Sequence, residues 1–397
     1  MQAKSLTLAL LAATVAAVAV YPAFRGRAED DAAAFVPPAP GQNRPKVEVA
    51  FVLDTTGSMG GLIGTAKEKI WSIATTMAQA TPAPEIRIGL VGYRDRGDSY
   101  VTKLVDLDED IDSVYAALVD FAADGGGDGP ESVNQALDDA VTRLSWSRDP
   151  SSYKVIFLVG DAPPHMDYPG DRKYPEVVAA ARAKGIVVNT IQCGAVAETV
   201  APWQRIASLG QGRYFRVEQA GSGVAIDTPF DPEIAKLSAA LDATRLYYGS
   251  AEDQAAMKRK VEATHKLSVS ASPAALARRG VFNSTASGAE NLAGEHDLVA
   301  DAAAGTAEVA AVPEAELPPS LRSLTPEQRE AVVAQKAAER ERLQQQIASL
   351  AKQRDDYIEQ KLEARGGAKE SLDQKLYETV RAQAAEKGLH YESGPKF

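Results

Sequence analysis

Between Lys46 and Val217, short apolar runs alternate with segments of helical periodicity. Apolar runs such as YKVIFLVG (153–160) are continuous, which is typical of strands covered on both faces of a parallel sheet. The segments between the runs, for example residues 60–80, carry apolar residues three and four positions apart, which predicts amphipathic helices. This order predicts an α/β fold with a doubly wound, mostly parallel sheet and helices on both faces, followed by a helical C-terminal extension.

The composition of the remaining segments predicts six regions. We expect a signal peptide or membrane anchor at 1–28, a Pro/Ala-rich linker at 29–45, the α/β domain at 46–220, a helical extension at 221–285, an acidic disordered linker at 286–320 and a C-terminal helical segment at 321–397. The acidic linker is expected because Gly288 to Pro319 contains no Lys or Arg and many Ala residues, so it offers little apolar surface to bury.

The N-terminus predicts export. Lys4 is followed by an uncharged stretch that ends at Phe24, and a cut after Ala19 would leave an apolar core of ordinary signal-peptide length. This predicts a periplasmic or cell-envelope location. Left uncut, the same stretch is just long enough to span a bilayer, so a membrane tether stays open as the alternative.

The C-terminal segment contains a long predicted helix from residue 325 to about residue 366. Thr325 and Gln328 form a capping-box pattern at its start. Its apolar spacing holds for only about two heptads, which favours a solvated helix or one lying on the domain over a partner-binding coiled coil.

Charge and cysteine content exclude several functions. The net charge of −11 argues against a nucleic-acid partner, because such binding needs clustered Lys and Arg. One cysteine cannot form an internal disulfide. With four histidines and one cysteine, no familiar nucleophile or zinc-hydrolase pattern can be found, so we predict no catalytic residues and no enzyme.

Oxygen-bearing side chains follow the predicted strands at one edge of the sheet. The list is Asp54, Thr56 and Ser58 in DTTGSM, Asp128 and Glu131 in DGGGDGPE, and Asp161 in VGDAPPH. In open α/β sheets, ligands bind beyond the carboxyl ends of the strands, so we expect these groups to meet there. Hard oxygen ligands suit Mg2+, with Mn2+ and Ca2+ as alternatives. The competing interpretation is that Asp54 and Ser58 only cap the following helix.

Together, the strand, DTTGSM, the amphipathic helix, the glycine-rich turn and VGD resemble the von Willebrand factor type A domain. The resemblance covers Lys46 to Val217. It implies a metal-ion-dependent adhesion site in which Thr56 and Ser58 bind the ion through their hydroxyls, while Asp54 and Asp161 bind it directly or through waters. It also implies one open coordination position, which an acidic side chain of a protein partner completes.

The second loop departs from the family pattern. The family's threonine is missing, and DGGGDGPE resembles a variant of bacterial members in which Asp128 or Glu131 is available instead. A carboxylate there strengthens cation binding but leaves less positive charge to attract a partner's carboxylate. The sequence does not decide between the two residues, and either could instead cap the helix that begins near Ser132.

Three functions are therefore distinguished. The first is an exported, non-enzymatic module that binds a divalent cation and a protein partner. The second is a metal-dependent hydrolase or phosphatase with Asp54 as nucleophile, for which no paired general base is evident. The third is a cell-envelope scaffold that acts through its C-terminal helix.

Overall fold

A computed structural model describes residues 44–127, 129–219, 226–364, 367 and 371–396. The predicted signal peptide or anchor, nearly all of the first linker and the candidate ligand Asp128 lie outside these residues. Within the described part of the chain, no helix is long and apolar enough to cross a membrane.

The centre of the fold is a six-stranded sheet with the order β3-β2-β1-β4-β5-β6. The strands are β1 (Lys46–Asp54), β2 (Glu85–Tyr93), β3 (Thr102–Asp108), β4 (Tyr153–Gly160), β5 (Ile186–Cys193) and β6 (Gln211–Val217). All neighbours are parallel except β2 and β3, which pair antiparallel. The chain builds outward from β1 to β3 and then crosses to β4 on the other side of β1. The strand order therefore reverses between β1 and β4, where ligands bind in folds of this class.

Five helices cover the two faces of the sheet. They are α1 (Gly60–Ala78), α2 (Ile111–Val119), α3 (Val133–Thr142), α4 (Tyr174–Ala183) and α5 (Ala197–Leu209). Successive residues of β1 point to opposite faces, so that Phe51 joins the core beneath α1 and α2 while Val52 joins the core that contains Trp203 of α5. Both faces are therefore buried, and the predicted doubly wound α/β fold is confirmed.

The C-terminal region is helical, as predicted, and packs against the sheet domain. Its helices are α6 (Asp231–Asp242), α7 (Ala251–Ser270), α8 (Pro273–Asn283), α9 (Ala289–Ala293), α10 (Leu298–Ala304), α11 (Pro326–Ala364) and α12 (Leu372–Ala385). Phe282 of α8 lies 5.9 Å from Trp71 of α1 between ring centroids, inside the first core. Lys69 of α1 and Asp373 of α12 form an ion pair of 2.9 Å with both side chains buried.

The segment 286–320 is ordered in the structure, contrary to the disordered linker that its composition predicts. It contains α9, α10 and two short 3-10 turns. Leu298 and Leu317 are fully buried, and they cluster with Val333 of α11. A few well-spaced leucines anchor this segment on its neighbours despite its acidic composition. The other region boundaries stay predictions.

The long helix α11 lies on the domain through buried contacts. Leu343 and Ile347 pack with residues of α6 and α8. Arg340 donates to Asp297 at 2.6 Å, and Arg354 donates to Asp231 at 2.8 Å. The apolar stripe of this helix is therefore used within the chain, which supports the docked helix over a coiled coil.

Candidate metal centre at the carboxyl ends of β1 and β4

The first strand delivers Asp54 to the switch point of the sheet. Asp54 is fully buried, and its Oδ1 atom accepts hydrogen bonds from the Thr56 backbone N–H at 2.9 Å and the Thr56 hydroxyl at 2.6 Å. The chain then makes a 3-10 turn, Gly57–Met59, which leaves Ser58 exposed ahead of α1. The first residues of this turn and of α1 receive no side-chain cap at their N-cap positions, Thr56 and Met59. Helix capping therefore does not account for the motif.

The glycine-rich loop lies directly over this turn. Gly57 donates its backbone N–H to the Gly125 carbonyl at 3.2 Å. Gly126 has a φ of +88° and lies close to both Thr56 and Glu131. A Cβ at Gly126 would lie 3.3 Å from Thr56 Cβ and 3.6 Å from Glu131 Oε1. The loop thus packs Glu131, which is only 3% exposed, beside Thr56. Asp128 lies outside the described residues, so the geometry supports Glu131 without ranking the two.

A backbone bridge fixes Glu131 against the loop that follows β4. Its N–H donates to the Pro163 carbonyl at 2.9 Å, and its carbonyl accepts from the His165 N–H at 3.0 Å. These bonds hold the second and third loops at one edge of the sheet, as the strand-end argument predicts.

Asp161 follows β4 and is also buried. Its Oδ2 atom accepts a hydrogen bond of 2.7 Å from Gln219 Nε2, and its carbonyl accepts one of 2.7 Å from the Thr199 hydroxyl. Gln219 Nε2 also lies 3.4 Å from the Ser58 carbonyl oxygen. Gln219, just after β6, therefore links the Asp161 loop to the Ser58 turn.

Negative charge accumulates at this edge of the sheet. Burial raises the pKa of Asp54 to about 7; the hydrogen bonds from Thr56 oppose this rise, and the charge of Asp161 adds to it. Burial, followed by the charges of Asp54, Glu131 and Asp161, raises the pKa of the Tyr93 hydroxyl well above its usual value. A bound cation would offset the repulsion that these groups share.

Two buried oxygens at the same place lack hydrogen-bond partners. Asp54 Oδ2 and the Tyr93 hydroxyl make no hydrogen bond of normal geometry with any described residue. Both lie against Gly160, where a Cβ would be 2.9 Å from Asp54 Cβ, so a glycine is needed for this close packing. Buried polar atoms are normally satisfied, and an ion with its waters would satisfy them here.

The residues present therefore fit a divalent cation held by Asp54, Thr56, Ser58 and Asp161, with Glu131 beside them. Among the described residues, no group of three or more His, Cys, Asp or Glu could hold a metal by itself. A cation held here would therefore also need hydroxyl or water oxygens, which Thr56 and Ser58 could supply. Such a hydroxyl-rich set suits a hard cation.

Sequence reasoning missed the residues that support the loops. Asp98 belongs to the Arg96-Gly97-Asp98 tripeptide, which the sequence suggests is a polar turn, and its carboxylate accepts from the Gly126 N–H at 3.2 Å. The Tyr93 hydroxyl and Gln219 also went unrecognised. Asp98 and Gln219 reach the site from distant turns, and only the position of Tyr93 at the end of β2 could have indicated its role.

His165 belongs to a buried network behind the site. Its ring stacks on Tyr168 with 4.0 Å between centroids. Tyr168 and Ser132 both donate to Asp95, at 2.7 and 2.8 Å. This network braces the loops around Glu131.

Comparison with known proteins matches part of this chain to one domain family. Residues 48–229 match the model of the von Willebrand factor A domain. Von Willebrand factor A domain-containing protein 7 of Rattus norvegicus is 35% identical over 120 residues, which are 30% of this chain and 12% of that protein. An ariadne-like RING finger protein of Acanthamoeba polyphaga mimivirus is 28% identical over 123 residues, 31% of this chain and 12% of that protein. The chain thus spans a small part of these relatives, and the matches support a von Willebrand factor A domain within residues 48–229.

Solved structures with a similar fold are distant. Proximal thread matrix protein 1 from the mussel byssus, in a structure with a zinc-occupied MIDAS motif, has a TM-score of 0.35 and 16% identity, covering 44% of this chain and 42% of that one. The SpRpn10 VWA domain has a TM-score of 0.34 and 13% identity, covering 46% of this chain and all of that one.

Proposed function

We propose that this protein binds one divalent cation at the carboxyl ends of β1 and β4 and uses the site to bind a protein partner. Asp54, Thr56, Ser58 and Asp161 would hold the ion, and Glu131 would stand in for the family's threonine. Mg2+ is the ion we expect first, with Mn2+ and Ca2+ as alternatives. Domains of this family typically mediate protein–protein interaction, which sets the general class of function.

One observation carries the proposal. Within the described part of the chain, one oxygen of the fully buried Asp54 carboxylate and the nearby Tyr93 hydroxyl have no hydrogen bond of normal geometry, and the carboxylate of Asp161 lies close to both. A buried negative cluster of this kind is costly unless a positive charge compensates it. A cation, when bound, supplies that charge and an electrophilic centre to which a partner's oxygen can bind.

The nature of the partner contact follows from charge. Glu131 adds a carboxylate next to the ion, so less positive charge is left to attract an acidic side chain. We therefore propose firm cation binding and a weaker, shape-dependent contribution of the ion to partner affinity.

Partner binding can be tested by substituting Asp54. Wild-type protein should retain a specific partner in Mg2+ and lose it in EDTA, and Asp54→Ala should fail to retain that partner in either buffer. Asp356→Ala is the matched control, because Asp356 is exposed on α11 away from the site. Retention of the same partner by Asp54→Ala at wild-type strength would contradict the proposal.

We further propose that the protein is not an enzyme. Asp54 is fully buried, and its Oδ1 atom is already bound twice by Thr56, which suits a structural ligand better than a nucleophile. Generic phosphoester and peptide substrates should show no turnover with or without Mg2+. Robust metal-dependent turnover that Asp54→Ala abolishes would establish the hydrolase alternative instead.

For location, we propose export to the periplasm or cell envelope, on the basis of the uncharged N-terminal stretch and the small residues that end at Ala19. Fractionation of cells and the N-terminal sequence of the isolated protein test this. A start at residue 20 supports cleavage, an intact start in the membrane fraction supports a tether, and an intact start in the soluble cytoplasmic fraction contradicts export.

A further inference from the structure

A cavity lies at the opposite end of the sheet from the proposed metal centre. Its volume is about 750 Å3. It is bordered by the loop 144–152 before β4, the turn 182–185 before β5 and Lys387 just after α12. It therefore lies at the amino ends of β4 and β5 and shares no residue with the proposed metal site.

The cavity is strongly basic although the protein is acidic overall. Arg148, Lys154, Arg182, Lys184 and Lys387 line it, and no carboxylate does. We call the cavity that these five residues line the basic cavity. Within the described part of the chain, none of the five forms an ion pair with a carboxylate. On a chain of net charge −11, such a concentration of unpaired cations marks a local positive field.

The hydrogen bonds of two of the lysines, Lys184 and Lys387, go to neutral acceptors. Lys184 Nζ donates to the Val141 carbonyl at 2.6 Å, and Lys387 Nζ donates to the Pro150 carbonyl at 2.8 Å. These neutral acceptors fix the ammonium groups at the rim without neutralising them. An ammonium group has three donors, so each keeps donors for a ligand.

The carboxylates near the basic cavity are engaged elsewhere. Glu48 binds Arg87 at 2.6 Å and the Ser147 N–H at 2.9 Å. Asp149 accepts from the N–H of Ser151 at 2.8 Å. Burial lowers the pKa of Lys154; the charges of Glu48 and Asp149 oppose this, and the charges of Lys387 and Lys184 reinforce it.

A buried hydroxyl points to a missing ligand. Ser152 lines the cavity and is 1% exposed, and its Oγ atom has no hydrogen-bond partner among the described residues. Buried hydroxyls of this kind are normally satisfied. Hydrogen-bonding hydroxyls together with Arg and Lys are the usual ligands of phosphate oxygens.

Helix electrostatics explains only part of the arrangement. Arg182 and Lys184 lie at the end of α4, where cations stabilise the helix dipole. Arg148 and Lys154 come from the loop before β4 and from β4 itself, and Lys387 comes from the C-terminal region. Three separate segments thus bring cations to one cavity, at the cost of mutual repulsion that a ligand would relieve.

We propose that the basic cavity binds a ligand that carries two or more phosphate groups. Several cations spread around about 750 Å3 suit a polyanion better than a single phosphate. The ligand can be a free phosphorylated solute or the headgroup of a phospholipid, because the recognised chemistry is the same. The site is independent of the metal centre.

The test is titration of the full-length protein with inorganic tripolyphosphate, in metal-free buffer near physiological salt. Arg148→Gln/Arg182→Gln is the informative variant, because both side chains are exposed and hold no other described contact, so the fold should be kept. The double variant should bind at least about tenfold more weakly, since each lost charge-assisted hydrogen bond contributes about that factor. Lys352→Gln on α11 is the control and should bind like wild type.

A second arm distinguishes the sources of phosphate. Flotation with phosphatidylcholine vesicles, with and without cardiolipin, whose headgroup carries two phosphates, compares wild type with the double variant. Tripolyphosphate binding without flotation assigns a free solute, and flotation that requires cardiolipin and fails in the variant assigns a lipid headgroup. Absence of tripolyphosphate binding by wild type, or equal binding by the double variant, would overturn the proposal. Asp54→Ala should keep tripolyphosphate binding, which separates this site from the metal centre.

Discussion

Arg279→Met should destabilise the whole protein, because Arg279 joins the C-terminal helices to the sheet domain. Its guanidinium donates to both oxygens of Asp112 on α2, at 2.6 and 2.5 Å. It also donates to both oxygens of Asp242 on α6, at 2.8 and 2.9 Å. The Arg279 and Asp112 side chains are 2% and 0% exposed, so neither can turn to water when the other is removed.

The expected cost is about 3–5 kcal/mol, the range for removal of one partner from a buried ion pair. Among the described residues, the Asp112 carboxylate would retain the hydrogen bonds from the Thr264 hydroxyl at 3.2 Å and the Asn291 amide at 3.5 Å. The charges of Lys260 and Arg245 also lower the pKa of Asp112, but less than Arg279 does, so most of the cost arises from the poorly compensated Asp112 charge. Adding Asp112→Asn to the same chain should therefore recover a substantial part of the loss.

Urea denaturation at neutral pH, followed by circular dichroism, measures the free energies of unfolding of both variants. The control is Lys236→Met, which removes an exposed Lys236–Glu233 pair of 3.7 Å on α6 and should change stability by less than about 0.5 kcal/mol. A loss below about 1 kcal/mol for Arg279→Met, or no recovery in the double variant, would refute this reasoning.

Acidification should weaken the same Arg279–Asp112 ion pair. Burial acts to raise the pKa of Asp112, but the charge and hydrogen bonds of Arg279 outweigh it and hold the pKa well below its usual value. The stabilisation by the Arg279–Asp112 ion pair is therefore fully present above the pKa that Asp112 has in the unfolded chain, and it is lost as pH falls below that value. Wild type should lose more stability than the Arg279→Met/Asp112→Asn variant between neutral pH and pH 3, and parallel curves would contradict the assignment.

Two further predictions concern the loops and the sheet edge. Gly126→Ala should weaken Mg2+ binding and cost about 1 kcal/mol or more, because its φ is +88° and the new Cβ would lie 3.3 Å from Thr56 Cβ. Gly127→Ala, with nothing within 4 Å, is the matched control, and equal calorimetric affinities of the two variants would contradict a role for Gly126. Burial, followed by its hydrogen bond with Glu85, raises the pKa of Glu109 to about 8. Wild type should therefore lose stability as pH rises from 4.5 to about 8, whereas Glu109→Gln should not. The stability difference in favour of Glu109→Gln should grow over this range and stay constant above it. Thermal melts across pH check this, and a pH-independent difference would contradict it.

Much of the sheet could be predicted because its signal is local. A continuous apolar run such as residues 153–160 has few alternatives to a buried strand, and the helical spacing between such runs then forces parallel pairing. The proposed site followed from the same logic, since Asp54 is the last residue of β1 and Asp161 comes directly after β4.

The missed features depend on contacts between distant residues. Gln219 reaches Asp161, and Asp98 reaches Gly126, over separations of 58 and 28 residues. Nothing in the local sequence around either side chain indicates that contact. The acidic stretch 286–320 was misjudged for a related reason, because Leu298 and Leu317 are buried in a cluster that includes Val333 of α11, far along the chain.

Isothermal titration of the full-length protein with Mg2+, beside Asp54→Ala and Glu131→Thr, tests the central claim most directly. The full chain is preferable to residues 46–220 alone, because α8 and α12 complete the core beneath α1. We expect wild type to bind Mg2+, Asp54→Ala to lose binding and Glu131→Thr to bind more weakly, since it removes one negative charge beside the ion. A wild-type protein that binds none of Mg2+, Mn2+ and Ca2+, or an Asp54→Ala variant that binds like wild type, would contradict a cation site at the end of β1.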